Sequence, residues 1–549
     1  MQKAIQRNFY LIMPGSNFSP QEIFDKREEN GLENSVEMLT DIIETDEDSG
    51  KRISAIKYLG DIIKYIPSLN NSCFDTLENI LISELNIEIK CEAAEALGKL
   101  KNEKALKPLK WTLEQKFTDV GLRLAVLKAI TKTKFKDPQI TILINELDSE
   151  YSSVREYVRN QLVGLEPEIL IRLLLVNLKS EHISNKHKSE IIRLIGYELS
   201  SINISVQDID YIKVKYPEVV SSLLHNNAIL LKQITRNLNT EDNELINSAT
   251  LILRLLSPEI NKDVIKLLLS DDFIVRKNAI TIVGKLKLKD AIESLTSGLD
   301  NIYSEVSVAS IQALGEIGDL SAVPELLDVL NVEDISFEYT DIDMKFYIID
   351  AVKKIYSSNK GASYDYLFSN LESNSETLKE TIAFILGDIG NEAFTDPLTD
   401  LLKTRNLDVK KNAIIALGKI GNINPITHLI EILENPNSYW LIKKVAIDAI
   451  FNIFQKNWYR IKENSTEFKR TLTKHIATLI DFLKKSEAEN TKVKISLIKF
   501  LELYGDEPAL SALLARVNDF PRIVRIHASN AIKKIEDKIE ERLGLDTVD

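Results

Sequence analysis

The sequence predicts an all-α superhelix, one stack of about 14 to 15 helical hairpins, and three observations carry that prediction. Similar blocks recur every 30 to 38 residues or so. Glycine and proline are scarce, at 19 and 14 residues in 549, which leaves long stretches free of helix breakers. Charged residues make up 28% of the chain and are interspersed with Leu and Ile rather than gathered in runs, as exposed helix faces require.

The repeat is clearest in three blocks: VRKNAITIVGKLKLKDAIESLTSGL from Val275, VSVASIQALGEIGDLSAVPELLDVL from Val306, and VKKNAIIALGKIGNINPITHLIEIL from Val409. In each an apolar residue stands nine positions before a glycine, with small or apolar residues four and seven positions after it, so one helical stripe is buried. A second apolar pair follows eleven and fifteen positions after the glycine: Leu295 and Leu299, Leu326 and Leu330, Leu429 and Leu433. That pair predicts a second amphipathic helix. The pattern gives anchors at 60, 98, 131, 163, 196, 254, 284, 315, 353, 387, 418, 451, 502 and 533. Several lack glycine, so the glycine favours the unit without defining it.

Glycine is expected where the first helix ends, because it accepts a left-handed backbone. Asp or Ser in SDDFIVRKNA and NLDVKKNA is expected to cap the start. Two intervals break the rhythm. The 58 residues from 196 to 254 leave room for one degenerate repeat, with a helix start at Tyr216-Pro217-Glu218. The 51 residues from 451 to 502 predict longer helices joined through Lys462 to Ser465. Residues 1–34, with Pro14, Gly15 and Pro20, read as an irregular lead-in, 35–543 as the solenoid with a wet-faced final helix, and 544–549 as a tail.

The blocks resemble HEAT repeats of the phycobilisome-lyase-like subclass, of the form D-x-x-V-R-x-x-A-x-x-A-L-G-x-I-G-D, best matched by GEIGDLSAVPELL and ALGKIGNINPI. The likeness covers roughly 35–543 and implies the fold, while saying little about function. The stretch from Asn8 to Ile43 is similar to the start of coatomer beta or adaptin trunks, which implies a vesicle-coat role with a small GTPase and sister subunits as partners. The repeat subclass implies a third reading, a bilin-lyase-like enzyme.

Composition narrows the partners. A formal charge of −13 repels a phosphate backbone, so no nucleic acid is expected. Cys73 and Cys91, eighteen residues apart, offer no disulfide framework, and cytoplasmic placement is expected. No stretch approaches the roughly 20 apolar residues that span a bilayer, so membrane association is expected only through partners.

No catalytic, cofactor or metal site is expected. KCEAAEALGKL resembles the His-Glu blocks of deoxyhypusine hydroxylase, a HEAT-like di-iron enzyme, but Cys91 stands at the histidine position and none of the six histidines precedes a glutamate. His182 and His187 read as residues of a polar connection, and Asp341 and Asp343 as part of a solvated acidic turn without the closing Glu of a calcium loop. Aromatics beside cations give the candidate partner-binding residues: Trp111 on a second helix, Tyr439, Trp440, Lys443 and Lys444 in YWLIKK, and Trp458 and Tyr459 in NWYRIK. The alkylpurine DNA glycosylases, also HEAT-like, line a basic cleft with aromatics. The same residues can instead anchor a peptide or fill the gap between irregular repeats. The function expected is a non-catalytic scaffold or adaptor that holds a protein or extended peptide in a concave groove lined by second helices, with no cofactor.

Overall fold

The computed structural model describes residues 18–63, 70–115, 119–133, 136–202, 209–299, 304–331, 344–462 and 466–543. All regular structure among the described residues is helical. The chain divides into two compact units, Met1–Asp263 and Val264–Asp549, each built of stacked helical hairpins. The all-α superhelix predicted from the repeat is the observed fold class.

The first helices follow one local plan. Five of them, Ile87–Leu100, Phe273–Leu286, Ser304–Ile317, Glu376–Ile389 and Leu407–Ile420, are each 14 residues long. Their starts are fixed by a side-chain oxygen that takes free backbone amides: Asn86 from Glu88 and Ile89, Asp272 from Ile274 and Val275, Asn406 from Asp408 and Val409. In NLDVKKNA the cap is thus Asn406, not the aspartate.

The glycine works differently from the expectation. Gly98, Gly284, Gly315, Gly387 and Gly418 lie inside their helices and are buried. The left-handed residue comes three positions later: Lys101 (φ 51°), Lys287 (φ 55°), Gly318 (φ 74°), Gly390 (φ 74°) and Gly421 (φ 84°). What the buried glycine supplies is close approach to the next first helix. A Cβ on Gly284 would stand 2.7 Å from Ala313 Cα, one on Gly387 2.6 Å from Ala416 Cα, and one on Gly418 2.9 Å from Ala449 Cα. No real Cβ tolerates such contacts, so the glycine is fixed by packing between repeats. The alanine it faces sits two positions before the anchor of the following repeat, which makes one small-residue pair the joint of the stack.

After the left-handed turn the chain makes a single 3-10 turn, Glu103–Ala105, Leu320–Ala322 or Glu392–Phe394, capped by Asn102, Asp319 or Asn391, and enters a shorter second helix. Leu109, Leu326 and Leu398 of those helices, and Leu429 of the second helix Ile426–Glu434, are fully buried under the first-helix layer.

Both irregular intervals are informative. In the unit Met1–Asp263, Asn185–Ile202 packs directly on Asn243–Leu256, so 209–237 adds no first helix to the row; Pro217–His225 and Asn227–Asn237 instead lie against Pro167–Leu178 and Asn185–Ile202. The degenerate repeat expected there is therefore an insertion of helices, although Pro217 does begin a helix. Its joint is shifted: Gly196 faces Ser248, with 2.5 Å from a built Cβ to Ser248 Cα, one turn before the position the repeat predicts. In the unit Val264–Asp549 the interval from 451 to 502 is filled by Trp440–Lys462 and Thr466–Lys485, as expected; the link at 463–465 lies outside the described residues.

The lead-in expected over 1–34 contains short helices Pro20–Asp25 and Arg27–Asn30, the former started by a capping box between Ser19 and Glu22. The remaining expectations for 1–17, the acidic turn with Asp341 and Asp343, and the tail 544–549 fall outside the described residues.

Candidate protein-binding site on the first-helix face

Tight first-helix packing brings the outward stripes of successive helices side by side. In the unit Val264–Asp549 this creates an open groove of about 430 Å³ across Met344–Ser358, Glu376–Ile389 and Leu407–Ile420. Phe346, Ile349 and Phe384 give it an apolar surface. Phe346 is 64% exposed, large for an aromatic on a well-packed helix.

Charges on both sides are paired across repeats. Lys345 Nζ lies 3.2 Å from Glu380 Oε1, which also accepts from Asn412 Nδ2 at 3.0 Å. Asp388 bridges two neighbouring helices, accepting from Lys353 Nζ and Lys419 Nζ at 2.6 Å each. Burial works to raise the Asp388 carboxyl, but those two hydrogen bonds outweigh it and hold the group below its ordinary value. Lys419 Nζ also stands 4.5 Å from the centre of the Phe384 ring. The site is thus an apolar slot between neutralised charges, suited to an inserted apolar side chain.

This groove lies on first helices, whereas the sequence led to the expectation of a groove lined by second helices. A further groove, of about 730 Å³, crosses Trp440–Lys462, Thr491–Tyr504 and Arg522–Leu543, again on first helices. The sequence signal of Trp and Tyr beside cations does not reach Phe346 or Phe384. A comparison along the wet stripe finds them: Phe384, three positions before its anchor, stands where other repeats carry Thr281, Gln312 or Asp448.

The residues singled out from the sequence separate into three groups. Trp111 is 43% exposed near the end of the second helix Leu106–Leu113 and lines neither groove. Tyr439 is 49% exposed with its ring 5.6 Å from Trp440, which is half-buried under Lys492 Nζ at 5.2 Å; Lys444 pairs with Asp448 one turn on. Lys443 is withdrawn from solvent at 2% exposure, paired with Glu489 and facing the Phe482 ring at 5.7 Å. Trp458 is half-buried with its ring 4.8 Å from Tyr504, in a cluster with Phe454 and Phe500 that ties two first helices together. Trp458 thus takes the gap-filling alternative left open by the sequence, and Lys443, named there as a partner contact, is turned inward. The Tyr459 side chain lies outside the described residues.

Among the described residues no three His, Cys, Asp or Glu side chains gather as metal ligands, and no helix is long and apolar enough to cross a membrane. Cys73 and Cys91 are free, and burial pushes both thiols up to about 11. His187 is buried, its Nδ1 3.0 Å from Asp148 Oδ1, rather than in a solvated connection.

The geometry defines a helical-hairpin solenoid with an apolar slot on its closely packed face. The family description that matches is HEAT repeats, over residues 261–337 and 364–450, and the chain carries HEAT repeats there. Solved structures similar to it include importin beta (12% identity over 97% of this chain and 79% of that one, TM-score 0.42) and yeast importin-beta, Kap95p (11%, 95% and 80%, TM-score 0.36). Kap121p bound to Nup53p is also similar (12%, 95% of this chain and 56% of that one, TM-score 0.39). These superpositions are too loose to bear on what the chain does. No curated protein matches it in sequence.

Proposed function

We propose that the chain is a non-catalytic scaffold or adaptor that holds a protein or extended peptide on its first-helix face, with an apolar side chain of the partner seated against Phe346, Ile349 and Phe384. The observation that carries this reading is the 64% exposure of Phe346 on an ordered helix, beside a groove whose charges are already satisfied. A buried aromatic anchor inside a ring of paired charges is the usual energetic centre of a protein interface. Tyr439, Trp440 and Lys444 act as accessory contacts, and Trp111 as a separate contact within the other unit. The solenoid is read as spanning 35–543, and its place as cytoplasmic. The coat-trunk and bilin-lyase-like readings gain no support from the groove.

The test is affinity capture by the full chain and by the Phe346→Ala/Phe384→Ala variant, with the captured proteins quantified by mass spectrometry. Proteins held by the wild-type chain should be lost from the variant while its urea midpoint is unchanged. An identical captured set from the two chains rules the slot out.

A further inference from the structure

The groove across Trp440–Lys462, Thr491–Tyr504 and Arg522–Leu543 differs in charge from the slot described above. Its floor is apolar: Leu503 is 49% exposed, and Phe451 is half-buried with its ring 5.7 Å from Tyr504. Three lysines stand on its wall. Lys534 is answered by Glu502, whereas Lys499 and Lys533 are exposed and, among the described residues, have no carboxylate within 4.0 Å. Elsewhere on first helices of this unit Lys277, Lys345, Lys353, Lys419 and Lys444 each have an acidic partner. One further acid, Asp537, reaches the groove, so cations remain in excess there on a chain of net charge −13.

We propose that this groove seats an acidic peptide segment carrying an apolar side chain, its carboxylates answering Lys499 and Lys533 and its apolar group resting on Phe451 and Leu503. Charge complementarity argues for the occupant: bringing carboxylates to two unpaired lysines adds attraction without first breaking a pair. An apolar floor favours a peptide over a nucleic acid, whose affinity would rest on phosphate contacts that the chain's net charge opposes. The inference rests on the scaffold reading and names the chemistry of a second contact within it.

The test is fluorescence anisotropy of the full chain with a labelled synthetic peptide of Asp and Glu around a central Leu. Its Lys-for-acid counterpart, its Leu→Ser counterpart and a short polyuridine serve as comparisons. Saturable binding of the acidic peptide is expected, weakened by salt and by the loss of Leu, and reduced about tenfold or more in the Lys499→Glu/Lys533→Glu variant. Lys485→Glu, at an exposed pair elsewhere, should leave binding unchanged. Absence of saturable binding, an unaffected Lys499→Glu/Lys533→Glu variant of wild-type circular dichroism, or equal binding of polyuridine overturns the proposal. The Phe346→Ala/Phe384→Ala variant should bind the probe normally; loss of the probe there, with the fold intact, overturns the assignment to this groove. If the probe fails while captured proteins still depend on Phe346 and Phe384, this inference falls and the scaffold reading stands.

Discussion

In the unit Val264–Asp549 the joint between first helices repeats with little change: Gly284 on Ala313, Gly315 on Ala351, Gly387 on Ala416, Gly418 on Ala449. In the unit Met1–Asp263 the same joint holds for Gly60 on Ala96 and Gly98 on Ala129, then slips by one turn where Gly196 meets Ser248. The slip accompanies the helices of 209–237, which are accommodated beside the row instead of extending it. The comparison teaches that the stack tolerates an inserted helix as long as two small residues still meet. It also shows a cost near the shifted joint: Glu198, two residues after Gly196, is 2% exposed with Oε1 lacking a hydrogen bond, and burial pushes its carboxyl up to about 7.

Enlarging the joint should give the largest effect. Gly387→Leu forces a side chain into the Ala416 backbone and is expected to cost about 3 kcal/mol or more, read as a lower urea midpoint and faster hydrogen exchange in Glu376–Ile389 and Leu407–Ile420. Gly196→Leu should do the same in the other unit. A harmless Gly196→Leu would mean that the shifted joint is loose and the two units do not share one packing rule. Gly31 has nothing near a built Cβ, but its φ of 80° makes it a poor control; Gly164, with its nearest neighbour at 3.9 Å, is the better one, and Gly164→Ala should change stability by less than about 0.5 kcal/mol.

Lys443 tests buried charge in the regular unit. Glu489→Ala leaves the Lys443 ammonium unpaired at 2% exposure and should cost about 3 kcal/mol, whereas a paired Lys443→Met/Glu489→Leu change should cost much less. Thermal unfolding of the three chains decides it. Equal losses would show that the pair itself, not the stranded charge, sets the energy.

Glu198 gives the shifted joint a pH signature. Its folded value lies above the unfolded carboxylate value, so the folded chain holds the extra proton between roughly pH 4.5 and 7, and stability contributed by this group falls as pH rises through that window. Glu198→Gln should remove that slope and stabilise the chain at pH 8 by on the order of 1–2 kcal/mol. An unchanged slope in urea melts across the window would rule out Glu198 as its source. Asp388 has the opposite sign: its lowered value means stability present above about pH 4 and lost as pH falls below it, removed in Asp388→Asn.

The smallest effect belongs to exposed pairs. Lys485→Ala, opposite Asp481 with both side chains more than half exposed, should leave the urea midpoint essentially unchanged. A larger shift would mean that surface charge, and not the glycine joint, governs the regular unit.

Much of the architecture was legible because a helical stripe leaves a period of three to four residues in the chain, and the hairpin repeats that stripe at a fixed interval. The anchors at 284, 315, 387 and 418 and the long helices after 439 all follow from that spacing. The site was less legible. Spacing brought out Trp111, Tyr439 and Trp440, but it cannot distinguish a wet aromatic from one rotated inward, so it grouped Lys443 and Trp458 with them.

By itself the sequence determined the helical class, the hairpin unit and the places where the unit fails, since each depends on contacts local to a few turns. Tertiary structure decided which small residues meet, which face carries the grooves and which lysines stay unpaired. Those outcomes depend on the distance between neighbouring helices. A Cβ that is absent at Gly387 matters only because the Ala416 backbone arrives beside it, and no pattern within one helix records that arrival.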